Sequence, residues 1–199
     1  MAIEVIKLSK AYGENMVLDK FSCTIEEGAA TCIMGPSGSG KTTLLRILMG
    51  LEQPDSGNVT SIQGMRKSAV FQEERLCENL SVMSNIRLAC GSYHTINDLR
   101  HAISTVGLPL DCISQPVREL SGGMRRRVEI LRALLSEYDV LFLDEPYKAL
   151  DSETKQIVIN YIRSQSQGKT VVLVTHDITE CEAMGAHHII STLPQPSYP

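Results

Sequence analysis

The sequence contains a stretch, "GPSGSGKTT", whose residue types could hold a phosphate group. Gly35 and Gly40 are separated by four residues, and Lys41 and Thr42 follow directly, which is the complete P-loop pattern. Glycine lets backbone N–H groups turn towards phosphate oxygens without a clash from a Cβ atom. Lys41 supplies a positive charge for the outer phosphates, and Thr42 supplies a hydroxyl for Mg²⁺. The predicted nucleotide-binding residues are Gly35, Pro36, Ser37, Gly38, Ser39, Gly40, Lys41, Thr42 and Thr43.

Two carboxylates follow an apolar run further along the chain. The stretch "DVLFLDEP" places Asp144 and Glu145 directly after four apolar residues. Ligands of open α/β sheets bind beyond the carboxyl ends of the strands, where these side chains would lie. Asp144 then suits a role in holding Mg²⁺, and Glu145 is placed to act as a general base on an attacking water. The alternative is a strand that simply ends in a polar turn.

His176 ends another apolar run, "TVVLVTH", and would reach the same edge of the sheet. A lone histidine is more often structural or exposed to solvent than catalytic. The pattern of the residues alone leaves both interpretations open.

A second glycine-rich loop, "LSGGM", precedes the helical pattern "MRRRVEILRALL". A helix that begins after such a loop can bind an anion at its N-terminus. Serine is also a favoured N-cap, so a purely structural loop fits equally well. The loop consists of Leu120, Ser121, Gly122, Gly123 and Met124.

The elements that must position these residues follow an α/β pattern. Apolar runs of strand length alternate with helical periodicity around the first glycine loop and again after residue 139. That alternation is typical of a parallel sheet covered on both faces. Strand signals disappear between about Glu73 and Leu135, where three stretches favour helix. The first 25 residues instead predict two strands joined by a turn.

Composition excludes some classes of function. The 199-residue chain has a net charge of −4, which disfavours a general nucleic-acid binder. No apolar run approaches the ~18 residues that a membrane-spanning helix needs. The first ten residues lack a signal-peptide layout, so we expect a cytoplasmic protein. The six cysteines show no zinc-ligand spacing, and we expect buried free thiols, although three disulfides are formally possible.

The motifs together resemble those of the nucleotide-binding subunit of an ABC transporter. After the P-loop, "VFQEE", "LSGGM", "VLFLDEP", "ALD" and "VTHD" are similar, in order, to the Q-loop, signature, Walker B, D-loop and switch histidine of that family. Tyr12 in "KAYGEN" is similar to the aromatic A-loop residue. The resemblance extends from about Ile3 to Leu193.

The resemblance implies roles that residue types alone do not settle. Tyr12 would stack on adenine, although a plain core or turn tyrosine is the alternative. Gln72 would touch Mg²⁺ together with Thr42 and would link the core to the helical insert, unless it is a surface glutamine. His176 would contact the γ-phosphate, and Asp151 would lie at a dimer seam. The signature loop would face the ATP held by the P-loop of another subunit.

The resemblance also implies an activity and partners. The chain would bind and hydrolyse ATP with Mg²⁺, as a homodimer or a paired ATPase subunit on the cytoplasmic side of the membrane. Its partners would be transmembrane permease subunits and an extracytoplasmic substrate-binding protein, with no nucleic acid. The nitrate, sulfonate and taurine importers are the most similar group, which implies import of a small organic or inorganic ion. The alternatives are a lipoprotein- or macrolide-type exporter and a non-transport ATP-gated clamp or scaffold.

The expected fold is the P-loop NTPase fold of ABC ATPases, with a mainly parallel sheet, an antiparallel β subdomain and an inserted helical subdomain. We predict one domain over residues 1–199. Residues 1–72 and 136–193 would form the nucleotide-binding core, and 73–135 the helical insert. Met124 departs from the glutamine of many relatives. The neighbouring Arg125, Arg126 and Arg127 are interpreted as a solvated helix face rather than as a phosphate contact.

Overall fold

The computed structural model describes residues 2–186 and 188–191, with side chains up to residue 186. The strands are β1 (Ile3–Tyr12), β2 (Asn15–Ile25), β3 (Ala30–Met34), β4 (Ser56–Thr60), β5 (Lys67–Val70), β6 (Val140–Asp144), β7 (Thr170–Val174) and β8 (His188–Ser191). The α-helices are α1 (Lys41–Met49), α2 (Val82–Cys90), α3 (Ile96–Thr105), α4 (Gly122–Leu134), α5 (Ser152–Gln165) and α6 (Ile178–Ala183). Two short 3₁₀ turns, Leu110–Ser114 and Val117–Glu119, precede α4.

The larger sheet is parallel and has the strand order β5-β6-β7-β3-β8. Every residue of β6 and β7 is buried, because helices and the smaller sheet cover the two faces. The order places β3, which leads into the P-loop, beside β7, which leads to His176. β6, which ends at Asp144, lies on the other side of β7. The predicted parallel α/β core is confirmed.

The smaller sheet is antiparallel, with the order β2-β1-β4. In this sheet β4 begins at Ser56, three residues before its apolar residue Val59. A Cβ atom at Gly57 would overlap the backbone carbonyl of Lys7, and Gly57 has a φ of 82°. Only glycine fits there, so the strand pairs closely with an irregular stretch of β1. The predicted antiparallel subdomain is also confirmed.

Between β5 and β6 the described chain is built from helices rather than strands, as the sequence predicts. Ser81 and Thr95 cap α2 and α3, and Thr95 forms a capping box with Asp98. Buried apolar side chains of α2, α3 and α4 pack in the same core cluster as one face of the large sheet. The insert boundaries at 73 and 135 stay a prediction.

One expectation about the cysteines is wrong. Cys32 of β3 and Cys181 of α6 form a disulfide, with both residues buried and their Cα atoms 5.9 Å apart. The two residues are 149 positions apart in sequence, so no local pattern could pair them. The other four cysteines are free, as expected, but only Cys90 and Cys112 are buried, whereas Cys23 is partly buried and Cys77 is exposed.

Among the described residues, no helix has both the length and the apolar character to cross a membrane. Residues 192 and 193, which the predicted core boundary includes, lie outside the described part of the chain.

Candidate functional site

The carboxyl ends of β3, β6 and β7 surround a cavity of about 760 Å³. The predicted P-loop, Gln72, both predicted carboxylates and His176 all contribute to its wall. The lining residues are Val17, Gly35, Pro36, Ser37, Gly38, Gly40, Lys41, Thr42, Thr43, Gln72, Asp144, Glu145, Tyr147, Lys148, Lys155, His176, Asp177 and Glu180. The structure therefore gathers at one edge the groups that the sequence places more than 130 residues apart.

The P-loop forms a tight turn between β3 and α1. Gly38 and Gly40 have φ values of 80° and 84°, which side chains rarely allow. The N-terminus of α1 has no side-chain cap, so its first N–H groups are free to bind an anion. The ammonium group of Lys41 donates to the carbonyls of Gly35 at 2.7 Å and Pro36 at 2.8 Å. These contacts hold the positive charge over the loop.

Thr42 and Asp144 meet at the base of the cavity. The Thr42 hydroxyl donates to Asp144 Oδ2 at 3.0 Å, whereas the buried Oδ1 atom has no hydrogen-bond partner. Asp144 is only 1% exposed. Burial raises its pKa, and the charge of Glu145 adds to that effect. A buried carboxylate oxygen without a partner is costly, and a cation would satisfy it. The oxygen donors present fit Mg²⁺, which prefers such ligands.

Glu145 and His176 form a pair at the mouth of the cavity. His176 Nδ1 lies 2.9 Å and 3.1 Å from the two carboxylate oxygens of Glu145. The hydrogen bond to Glu145, followed by the charge of that carboxylate, raises the pKa of His176. The histidine side chain is 78% exposed, whereas that of Glu145 is 19% exposed. The pair thus faces the space in front of the P-loop.

Tyr12 lies at the end of β1, outside the cavity wall. Its hydroxyl donates to a carboxylate oxygen of Glu52 and lies near the Thr43 hydroxyl. The residue is 47% exposed. The Lys10 ammonium lies over the ring, 5.6 Å from its centroid, and the role of Tyr12 towards adenine stays a prediction.

The signature loop lies on the surface at the start of α4. The Ser121 hydroxyl accepts a hydrogen bond from the Met124 N–H at 3.4 Å and caps the helix. Ser121 and Gly122 are exposed. None of the described residues that line the cavity belongs to the stretch from Leu120 to Met124. The N-cap interpretation is confirmed, whereas the anion-binding role stays a prediction.

The D-loop lies between β6 and α5. Asp151 caps α5, since its Oδ1 atom accepts from the N–H groups of Glu153 and Thr154. A Cβ atom at Gly123 would lie 2.9 Å from the Ala149 carbonyl oxygen, so the D-loop backbone approaches the signature loop closely. The position of Asp151 at a dimer seam stays a prediction.

The interpretation of the three arginines as a solvated face is wrong for two of them. Arg126 is 4% exposed and bonds to backbone carbonyls of the core. Arg127 is half-buried and donates to the carbonyls of Val106 and Gly107. Arg125 forms ion pairs with Glu74 and Glu78 at the surface. Helical periodicity does not reveal these contacts, because the long side chains reach across element boundaries.

A polar network that no sequence motif indicates lies close to His176. Lys155 of α5 donates to Glu180 Oε1 at 2.7 Å, and the Thr175 hydroxyl donates to the other oxygen of Glu180. The hydroxyl of Tyr147, buried beside this network, has no hydrogen-bond partner. No short motif joins these residues, since they come from three separate segments.

A family model described as "ABC transporter" matches residues 18–148, more than half of the chain. This chain belongs to the ABC transporter family. The P-loop, the Walker B strand and the signature loop all fall within the matched residues. With the cavity described above, the chain is an ATP-binding and ATP-hydrolysing subunit of that family.

Curated relatives carry the names of transport ATPases. The chain is 37% identical to the aliphatic sulfonates import ATP-binding protein SsuB 1 of Rhodococcus jostii strain RHA1, over 96% of this chain and 80% of the relative. It is 39% identical to the spermidine/putrescine import ATP-binding protein PotA of Treponema pallidum strain Nichols, over 90% of this chain but only 51% of the relative. A Nod factor export ATP-binding protein of Ralstonia nicotianae is 34% identical, over 92% of this chain and 61% of the relative.

Solved structures show the same fold. A dimeric structure of a bacterial ABC transporter cassette superimposes with a TM-score of 0.83 at 30% identity, covering 96% of this chain and 94% of that one. A second structure of that cassette, in a post-hydrolysis state bound to ADP and Pi, gives the same TM-score at 29% identity, with the same coverage of both chains. The ABC ATPase fold expected from the sequence is confirmed.

Proposed function

We propose that two copies of this chain, or this chain and a paired ATPase subunit, enclose ATP and drive the import of a small organic or inorganic ion. The subunit would act at the cytoplasmic face of the membrane, with a permease and an extracytoplasmic binding protein. The observation that carries the proposal is the single cavity that joins the P-loop, the Thr42–Asp144 pair and the Glu145–His176 pair.

The P-loop is assigned the triphosphate. Its backbone N–H groups and the N-terminus of α1 meet the phosphate oxygens, and Lys41 exchanges its two carbonyl contacts for the outer phosphates. Thr42, Asp144 and Gln72 are the residues that would hold Mg²⁺. The metal would supply a positive charge that neutralises the β- and γ-phosphates. Mg²⁺ commonly takes only one or two protein carboxylates and completes its shell with phosphate and water.

Hydrolysis requires a water that attacks the γ-phosphorus in line with the leaving ADP. Glu145 accepts a hydrogen bond from that water and takes up its proton as the new P–O bond forms and the bond to ADP breaks. His176, held by Glu145, is assigned to the γ-phosphate oxygens. Most of the rate enhancement would come from this fixed arrangement of charges and donors rather than from covalent chemistry.

The signature loop supports the dimer. It has the features of an anion-binding helix start, yet it lies outside the cavity of its own chain. A second copy placed head to tail would bring this loop to the γ-phosphate. ATP then touches both chains only in the closed state and favours closure, whereas hydrolysis removes that link. The dimeric arrangement of the similar cassette agrees with this proposal.

Import is favoured over export by the names of the similar relatives, among them the sulfonate protein, which matches 96% of this chain. The Nod factor protein keeps export as the second candidate. Substrate choice would depend on the permease and binding protein rather than on residues of this chain.

Vesicle transport tests the direction. The chain is reconstituted with its co-encoded permease, and labelled alkanesulfonate is offered with the binding protein on the face opposite the ATPase. We expect ATP-dependent movement of the label to the ATPase side, and none with Glu145→Gln. Movement only away from the ATPase side would overturn the import proposal in favour of export. ATP hydrolysis with no movement of sulfonate, sulfate, polyamine or lipid would favour the clamp.

A further inference from the structure

Arg126 is a buried arginine at the junction of α4, the Q-loop segment and the Walker B strand. Its guanidinium group donates to Asp144 O at 2.9 Å, Glu145 O at 2.7 Å and Pro146 O at 2.9 Å. It also donates to the carbonyl of Phe71, the residue before Gln72. One side chain therefore binds the backbone on both sides of the cavity.

Glu129, one turn further along α4, balances the charge of Arg126. Its Oε2 atom lies 3.0 Å from the guanidinium, and both side chains are only about 5% exposed. Its Oε1 atom accepts from the N–H of Arg75, beyond Gln72. The planar fork of arginine suits several fixed acceptors at once. Lysine, with one compact ammonium group, could not reach the same set.

A buried ion pair is weak evidence for stability, because desolvation offsets much of the attraction. A well-packed apolar pair can stabilise a fold equally well. The geometry of the contacts therefore points to a role other than stability. All of the carbonyls that Arg126 binds lie beside residues assigned to the ATPase site.

The backbone of Glu145 needs such support. Its φ is 48°, a region that residues other than glycine adopt at a cost. Its N–H donates to Val174 O at 2.9 Å, and its carbonyl accepts from Arg126 at 2.7 Å and from the Lys148 N–H at 3.3 Å. These three bonds fix the peptide from which the carboxylate reaches His176, and the bond to Arg126 is the shortest of them.

We propose that Arg126, charge-balanced by Glu129, is a positioning residue for hydrolysis. It holds the Walker B peptide and the start of the Q-loop on the signature helix, so that the Glu145 carboxylate lies correctly for the attacking water. The inference rests on the proposed catalytic role of Glu145. Arg126 itself touches no nucleotide.

Kinetics of Arg126→Gln test the proposal. A small misplacement of a reacting group costs up to about 100-fold in rate, so we expect kcat to fall about 10- to 100-fold. The affinity for ATP without Mg²⁺ should change less than about twofold, because none of the hydrogen bonds of Arg126 reaches the P-loop. Arg126→Lys should also be slow, since it keeps the charge but loses the fork. A wild-type kcat in Arg126→Gln overturns the inference.

Arg125→Gln is the matched control. It removes the same charge from the neighbouring position on α4, where the partners are the surface groups Glu74 and Glu78. The Arg125 side chain is 22% exposed, and neither Glu74 nor Glu78 lines the cavity, so kcat should remain within about twofold. An equal loss of kcat in both variants would show a general effect of charge on α4 and would overturn the assignment to Arg126.

A double variant separates positioning from folding. Arg126→Met with Glu129→Leu removes both buried charges together, so the fold should be retained even if Arg126→Gln unfolds. We expect cooperative thermal unfolding, at a lower temperature because the carbonyls lose their partner, together with normal ATP affinity and a reduced kcat. A wild-type kcat in this variant would overturn the inference. Glu145→Gln is measured beside it: normal turnover there refutes the proposed function itself, whatever the Arg126 variants do.

Discussion

The two glycine-rich loops of this chain both precede a helix, but only the first lies in the wall of a cavity. Residues 35–43 lead into α1 without a side-chain cap and form the wall of a cavity with Asp144 and His176. Residues 120–124 lead into α4 with Ser121 as the cap, and none of them lines that cavity. Glycine content and a helix N-terminus therefore do not by themselves make a binding site. Charged groups of the same chain surround the first loop, whereas under the proposed function a second molecule would supply the ATP that meets the second loop.

The largest effect is expected for Glu145→Gln, which removes a carboxylate that lines the cavity with the P-loop. Removing a general base costs up to about 10⁴-fold, and we expect kcat to fall by about 10³-fold while ATP still binds. ATP should then hold two chains together, which size-exclusion chromatography with and without ATP would detect. His176→Ala, which removes the partner of Glu145, serves as the comparison. Normal turnover in Glu145→Gln would refute the general-base assignment.

Lys41→Ala tests the P-loop, which is proposed to bind phosphate within a single chain. It removes the only lysine of the P-loop, so we expect the affinity for ATP to fall at least about 100-fold, by the loss of a direct charge contact with phosphate. Titration of the single chain with a fluorescent ATP analogue measures it. Lys169 directly precedes β7, at the amino ends of the parallel strands. Lys169→Ala should therefore leave the affinity for ATP unchanged. An unaltered affinity in Lys41→Ala would show that the P-loop is not the phosphate site.

Ser121→Arg tests the signature loop, which the proposed function assigns to the ATP of a second chain. A bulky cation there should block the approach of a second chain and lower turnover about tenfold or more, while ATP affinity of the single chain stays normal. The variant also removes a helix cap, which costs about 1 kcal/mol. Ser81→Arg removes the equivalent cap from α2 and controls for that loss. A drop in single-chain affinity would place the signature loop at its own chain's ATP and remove the contrast between the loops.

The smallest effect is expected at Tyr12, which lies outside the cavity wall. Stacking of an aromatic side chain on a base contributes about 1–3 kcal/mol, and the exposed position favours the lower limit. Tyr12→Ala should weaken ATP binding about fivefold and leave kcat unchanged. Tyr12→Phe keeps the ring, loses only the bond to Glu52, and should bind normally. Equal losses in both variants would assign the effect to the hydroxyl instead.

The sequence predicts features that depend on neighbouring residues. Buried parallel strands appear as short apolar runs, and the P-loop glycines are needed for the local turn, so the sequence predicts the core and the cavity residues that belong to short motifs. Features that depend on contacts between distant segments are missed. Cys32 meets Cys181 only because of the strand order, and the burial of Arg126 depends on carbonyls of two other segments. The role proposed for the signature loop would depend on a second chain, so contacts within one chain do not display it.

The close approach of Gly123 to Ala149 has a consequence for the proposed dimer. Any side chain at position 123 would push against the D-loop backbone, so a shift of the signature loop towards the segment before Asp151 must move that segment as well. In the proposed dimer, a displacement at either loop would then reach both surfaces that one chain offers to the other. Simultaneous engagement of the two ATP sites would follow from this backbone contact.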